Sequence, residues 1–182
     1  MNTGQTILSI GALILLGTTV LSTNRASLQH GAIITQTEVG IYAVSLAQAK
    51  IEEASGKAFD EYSAPNATGD GDVITSVSLC TASGSLGKES GETYPNFDDV
   101  DDYNYYSGTN PYVLYVPGVD TFHIQTTVFY VDTAAPDTKV STQTWHKKLT
   151  VKVWPNASPW AADNPKPDTV TMTYIYSYWW FR

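Results

Sequence analysis

The chain has 182 residues, with ten basic and eighteen acidic side chains and a formal charge of −8 at pH 7. One core of ordinary size is expected at this length, and so acidic a chain does not suit nucleic acid, whose affinity rests on Lys and Arg neutralising phosphates. A lone cysteine, Cys80, excludes an internal disulfide, and no Cys/His spacing for zinc or haem is present.

The first charged side chain is Arg25. Ahead of it, residues 6–23 are an uncharged run of Ile, Leu, Val, Ala, Gly, Thr and Ser. Eighteen helical residues span roughly 27 Å, close to the hydrocarbon thickness of a bilayer, and a chain in lipid must bond its own backbone, as a helix does. A secretory signal peptide would need a basic n-region and a small-x-small cleavage site. Residues 1–5 (MNTGQ) contain no Lys or Arg, and Thr23-Asn24-Arg25-Ala26 is not such a site. The segment therefore reads as a retained apolar helix.

From residue 26 to about Glu61 there is no proline and no turn cluster, and helical spacing continues. Ile34, Thr37, Ile41, Val44, Gln48, Ile51 and Ser55 fall on one seam, with Val39, Ala43 and Leu46 beside it. Gln36, Glu38, Lys50, Glu52 and Glu53 fill much of the rest. The Pro/Gly-bearing stretch at 64–71 ends the helix. The chain thus divides into three parts: 1–24 an apolar membrane or filament-core helix, 25–62 the amphipathic half of the same helix, and 63–182 a β-rich globular head.

In the head the period changes to two. Val73, Thr75, Val77 and Leu79 alternate with Ile74, Ser76, Ser78 and Cys80, which predicts a strand. Residues 81–111, rich in Gly, Ser, Asp and Tyr, predict a long irregular insertion outside the core. Tyr112 to Val116 is a short strand ended by Pro117-Gly118. Phe122, Ile124, Thr126, Val128 and Tyr130 share one face of the next. Residues 132–137, including Pro136, make a turn. Leu149, Val151 and Val153 then alternate with Lys148, Thr150 and Lys152, a strand with one wet face. Val170, Met172, Tyr174, Tyr176, Tyr178 and Trp180 alternate with Thr169, Thr171, Thr173 and Ser177. The predicted fold class is α+β, a long N-terminal helix packed on a C-terminal antiparallel sheet of four or five strands.

Two stretches carry a resemblance. The first is Met1-Asn2-Thr3-Gly4-Gln5-Thr6-Ile7-Leu8 running into Leu13-Ile14-Leu15-Leu16. The second is Trp145-His146-Lys147-Lys148-Leu149-Thr150-Val151-Lys152-Val153-Trp154, followed after a turn by Thr169-Val170-Thr171-Met172-Thr173. Together with the helix-then-sheet order they resemble the type IV pilin and pseudopilin family. The resemblance implies a subunit that waits in the inner membrane, is handled by the pilus assembly machinery, and becomes part of a cell-surface filament made of copies of itself. Members usually carry Glu at mature position 5 and a short basic leader cut by a prepilin peptidase. Here the equivalent residue is Gln5 if Met1 is the first mature residue, and no leader is visible. A neutral amide still accepts a hydrogen bond from a neighbouring amine, without the charge attraction.

The residues expected to line a filament core are Gln5, Ile7, Leu8, Ile10, Leu13, Ile14, Leu15, Leu16, Val20 and Leu21. Gly11, Ala12, Gly17, Thr18, Thr19 and Ser22 permit close helix approach.

Catalytic signals are lacking. His30, His123 and His146 have no HExxH-like spacing, and neither GxSxG, GxGxxG nor a Walker motif occurs. No enzyme and no cofactor is expected. Asp98, Asp99, Asp101 and Asp102, with Asp70 and Asp72, are residue types that suit Ca²⁺, but they lack the EF-hand pattern and read first as a solvated acidic loop. Tyr94, Phe97, Tyr103, Tyr105, Tyr106 and Tyr112 flank them and are expected to pack the loop. Asn66 and Asn156 begin glycosylation sequons. The competing readings are a membrane-anchored β-domain acting alone as a binding module, and a minor pseudopilin of a secretion or uptake system. The seam from Ile34 to Ile51 separates the first of these from a polymer, because a lone domain should bury it only on its own sheet.

Overall fold

The computed structural model describes residues 3–65, 71–106, 111–156 and 169–181. Helix α1 runs from Thr3 to Ser55, and four strands come after it: β1 Tyr112–Val116, β2 Asp120–Tyr130, β3 His146–Pro155 and β4 Val170–Ser177. The fold is α+β. By compactness the chain divides into Met1–Val39 and Gly40–Arg182. The first unit is helix alone over its described residues. The second holds the last turns of α1, the sheet and the connecting loops.

The sheet has the order β1-β2-β3-β4 with every neighbouring pair antiparallel. Pro117-Gly118 makes the β1–β2 turn, where Val119 N–H donates to the Val116 carbonyl at 3.1 Å and Gly118 takes φ +81°. Pro presets the second position of such a turn and Gly supplies the positive φ of the third. Register puts Phe122, Ile124, Thr126, Val128 and Tyr130 of β2 opposite Pro155, Val153, Val151, Leu149 and Lys147 of β3. This is the inner face. All of these are buried, so the expected alternation holds. β1 pairs only with residues 120–124 of β2. Beyond that, Asn104 closes the edge by accepting the Val128 N–H at 3.0 Å.

Three expectations need correction. Helix α1 stops at Ser55, not near Glu61, because Ala58 instead bridges to Asp99, with Ala58 N–H to the Asp98 carbonyl at 2.9 Å and Val100 N–H to the Ala58 carbonyl at 3.0 Å. Val73 to Cys80 is not a strand; it contains a 3₁₀ turn at Val77–Leu79, capped by Ser76. Alternation over eight residues makes a strand only where another strand offers a ladder, and none does here among the described residues. The region from 81 onward is not a peripheral insertion either, since Phe97, Asp99, Val100, Tyr103 and Tyr106 are buried core.

The helix seam also differs from its prediction. In the second unit the buried α1 residues are Ala43, Ala47, Lys50, Ile51 and Ala54, while Ile41 is 62% and Val44 45% exposed. Three of these are alanines, and beside them the Tyr176 hydroxyl of β4 donates to the Ile51 carbonyl at 2.7 Å. Small residues thus make up most of the buried face, with Lys50 and Ile51 between them.

Candidate functional site

Two features stand out, an apolar helix surface in the first unit and a buried ionic cluster in the second. In the first, Ile7, Leu8, Ile10, Leu13, Ile14, Leu15, Leu16, Val20 and Leu21 are each between 58% and 76% exposed. Gln5 is exposed as well. The hydroxyls among them turn inward to the helix's own carbonyls: Ser9 to Gln5 at 2.9 Å, Thr18 and Thr19 to Leu15 at 3.0 and 2.7 Å, Thr23 to Thr19 at 2.9 Å. Such back-bonding satisfies the donors locally, so the segment offers its surroundings mostly hydrocarbon. Helix α1 is long and apolar enough to cross a membrane.

The glycines of this segment are informative. A Cβ added at Gly4, Gly11 or Gly17 would meet nothing within 4 Å. The chain's own packing therefore does not require them, although each costs a helix about 1 kcal/mol relative to Ala.

In the second unit the aspartates predicted as a solvated loop are largely internal. Asp99, Asp101 and Asp102 are at most 1% exposed. They serve different partners. Asp101 pairs with Lys147, whose Nζ also reaches Asp60 Oδ2 and the Phe59 carbonyl at 2.7 Å each. Asp60 is held in turn by Thr81 N–H at 3.0 Å and the Tyr130 hydroxyl at 3.2 Å. Asp99 Oδ1 accepts the Asp102 N–H at 3.1 Å, and Asp102 Oδ2 accepts the Asp98 N–H at 3.0 Å. The four predicted aspartates do not converge on one point. Asp102 alone joins another group, with Glu89 and Glu92, whose ligand oxygens lie within 4.8 Å of one another.

Electrostatics reflect this geometry. Burial, then the Asp101 carboxylate, drives the Asp99 carboxyl well above the ordinary aspartate range despite Lys147. Burial, then its hydrogen bond to Glu92 and the Asp102 charge, raises Glu89. Burial pulls Lys147 down, but Asp101, Asp60 and Asp99 outweigh it and the net direction is up.

Lys147 and Asp60 were not singled out as site residues, yet a signal existed. Lys147 shares the period-two face of Leu149, Val151 and Val153, so a strand with those residues inside must bury that ammonium. Its neighbour Lys148 faces the other way and meets Asp137 at 2.5 Å, with Asp137 94% exposed.

The remaining expectations sort simply. Tyr94, Phe97, Tyr103, Tyr105, Tyr106 and Tyr112 pack together, with ring centroids 5.1 to 6.5 Å apart, and Lys50 Nζ lies 3.8 Å over the Tyr94 ring. His146 Nδ1 shares a 2.7 Å hydrogen bond with Ser177 Oγ, and His123 stacks on Trp154. Asn156 is exposed at the end of β3, its side-chain oxygen 3.1 Å from His123 Nε2. Asn66 and Asp70 lie outside the described residues.

Compared with known proteins, the chain matches no family model, no curated protein and no solved structure.

Proposed function

We propose that the chain is the structural subunit of a pilus-like extracellular filament, held in the inner membrane by its N-terminal helix before assembly and polymerising through that same helix. The observation that carries this reading is the segment 6–23. It is apolar on every side, exposed in the single chain, and has its hydroxyls turned inward. Burying one Leu or Ile is worth roughly 1.5–3 kcal/mol, so nine such side chains cannot stay in water. Lipid covers them first and sister helices cover them afterwards.

Two further observations favour a polymer over a lone anchored domain. Gly4, Gly11 and Gly17 have no internal packing role, and small residues on an apolar helix let a second helix approach closely. Ile41 and Val44, at 62% and 45% exposure, are left uncovered within the head, as expected if neighbouring subunits cover them. Repeating one heterologous contact without closure gives a helical fibre. In this reading the head has no catalytic task, its only machinery is that of assembly, and nucleic acid is not a partner.

The test is electron microscopy of sheared surface material, with fibres identified by peptide mass. Fibres containing this chain are expected, and Leu15→Asp should abolish them, because a charge in an apolar bundle has no partner there. A chain found only as membrane-bound monomer, or fibres that tolerate Leu15→Asp, would overturn the reading.

A further inference from the structure

We propose that Glu89, Glu92 and Asp102 form a divalent-cation site in the head, and that the ion it takes is Ca²⁺. One carboxylate oxygen from each lies within 4.8 Å of the other two. The independent observation is an oxygen without a donor. Asp102 is 1% exposed, and while its Oδ2 accepts the Asp98 and Asp99 N–H groups at 3.0 and 3.4 Å, its buried Oδ1 has no partner among the described residues. Glu89 Oε2 is buried in the same condition.

Ionised carboxylates only accept hydrogen bonds. With all three ionised, the contacts between their oxygens join acceptor to acceptor, Asp102 Oδ1 and Glu89 Oε2 have no donor among the described residues, and the group lacks a positive centre. The neighbouring ammonium groups do not supply it. Lys147 is engaged by Asp60 and Asp101, and Lys88 Nζ donates to the Glu92 carbonyl at 2.8 Å. A site built only from oxygen selects a hard cation. Ca²⁺ takes six to eight oxygens at about 2.3–2.6 Å in flexible geometry, whereas Mg²⁺ demands a near-ideal octahedron at about 2.0–2.1 Å. Ligand oxygens up to 4.8 Å apart sit across one Ca²⁺ more readily than across one Mg²⁺. Glu89 and Glu92 are only half-buried, so solvent can complete the shell from their side. Among the described aspartates that composition marked for Ca²⁺, only Asp102 belongs to the set. The site lies in the head and does not depend on filament assembly.

The test uses the full chain in detergent, stripped with EDTA, with thermal unfolding monitored as CaCl₂, MgCl₂ or NaCl is added at matched ionic strength. Ca²⁺ should raise Tm with a midpoint of about 10⁻⁴ to 10⁻³ M, the range of extracellular calcium modules, and Mg²⁺ and NaCl should do less. Glu92→Gln should weaken the midpoint about tenfold or more, while Glu52→Gln, on an exposed face of α1, should leave it unchanged. Tb³⁺ luminescence sensitised by the surrounding tyrosines, and displaced by Ca²⁺, reads the site without any variant. An absent Ca²⁺ response, an equal response to NaCl, or a full response retained in both Glu89→Gln and Glu92→Gln overturns the proposal. A wild-type chain blind to Ca²⁺ whose Glu89→Gln form is the more stable in EDTA would mark carboxyls sharing a proton instead.

Discussion

Lys147 and Lys148 are consecutive and chemically identical, yet the pleat sends them to opposite faces and gives them different consequences. Lys147 is fully buried between Asp60 and Asp101, over the Phe59 ring at 4.8 Å. Removing one member of a buried ionic group leaves uncompensated charge and typically costs about 3–5 kcal/mol. Lys147→Met should therefore lose most of the head's stability in a denaturant melt, and Lys148→Met, whose partner Asp137 is in water, only a small part of it. Equal losses would mean that the Lys147 group is not a structural centre. Cys80 adds a pH signature. Burial, then the Asp60 charge, pushes its thiol from 9.0 to about 11. A raised value means that the folded state holds its proton longer, so this contribution is complete below pH 9 and is lost as pH rises from 9 to 11. The raised Lys147 acts in the same direction above its ordinary value of 10.5. Denaturant midpoints should hold up to about pH 9 and then fall toward pH 11; a flat limb over that range would contradict the Cys80 assignment.

At the scale of elements, α1 presents two faces in its last turns. Ala47 is fully buried, and Ile41, less than two turns before it, is 62% exposed. Ala47→Leu should overpack the contact and destabilise the head by about 1–3 kcal/mol. Ile41→Asp should leave the melting curve of the detergent-bound monomer nearly unchanged and, in the proposed filament, reduce fibre yield. Thermal melts and fibre counts on the two variants separate these faces, and a destabilised Ile41→Asp monomer would contradict the assignment. The existence and order of the helix and of strands β1 to β4 are legible in the sequence, because the periods of 3.6 and 2 run long enough to be unambiguous. The contacting helix face is legible only in part: Ile51 lies on the predicted seam and Ala43 beside it, and both are buried, whereas Ala47 and Ala54 act through smallness and carry little hydrophobic signal. Val73 to Cys80 misleads because alternation says nothing about whether a partner strand exists. Residues 98–102 mislead because acidic composition suggests water, whereas reciprocal bonds between Asp99 and Asp102 and the Lys147 ammonium bring those charges inside.

For the whole molecule, charge and grease are segregated along the chain. Arg25 is the only charged side chain before Glu38, so the acidic excess lies entirely in residues 38–182. The second unit, Gly40–Arg182, contains the sheet, the aromatic cluster and the ionic group, and every buried side chain among the described residues lies at position 39 or later. Deleting residues 1–24 should therefore leave the thermal unfolding of the head unchanged while removing the proposed membrane retention and polymer. Loss of the folded head on deletion would instead give that segment a structural task. The proposed filament would gather like-charged heads around an apolar bundle, and two opposing terms would set its stability. Burial of the apolar segment is insensitive to moderate salt, but repulsion between heads is screened over about 10 Å at 0.1 M ionic strength and about 30 Å at 0.01 M. Polymer recovered by sedimentation should therefore increase as NaCl is raised from about 0.01 to 0.15 M, and the gain should shrink near pH 4.6, where the net charge vanishes. If ion pairs between subunits held the fibre together, salt would weaken it instead. A polymer fraction that falls with salt at neutral pH would thus transfer the driving force from the apolar helix to the heads.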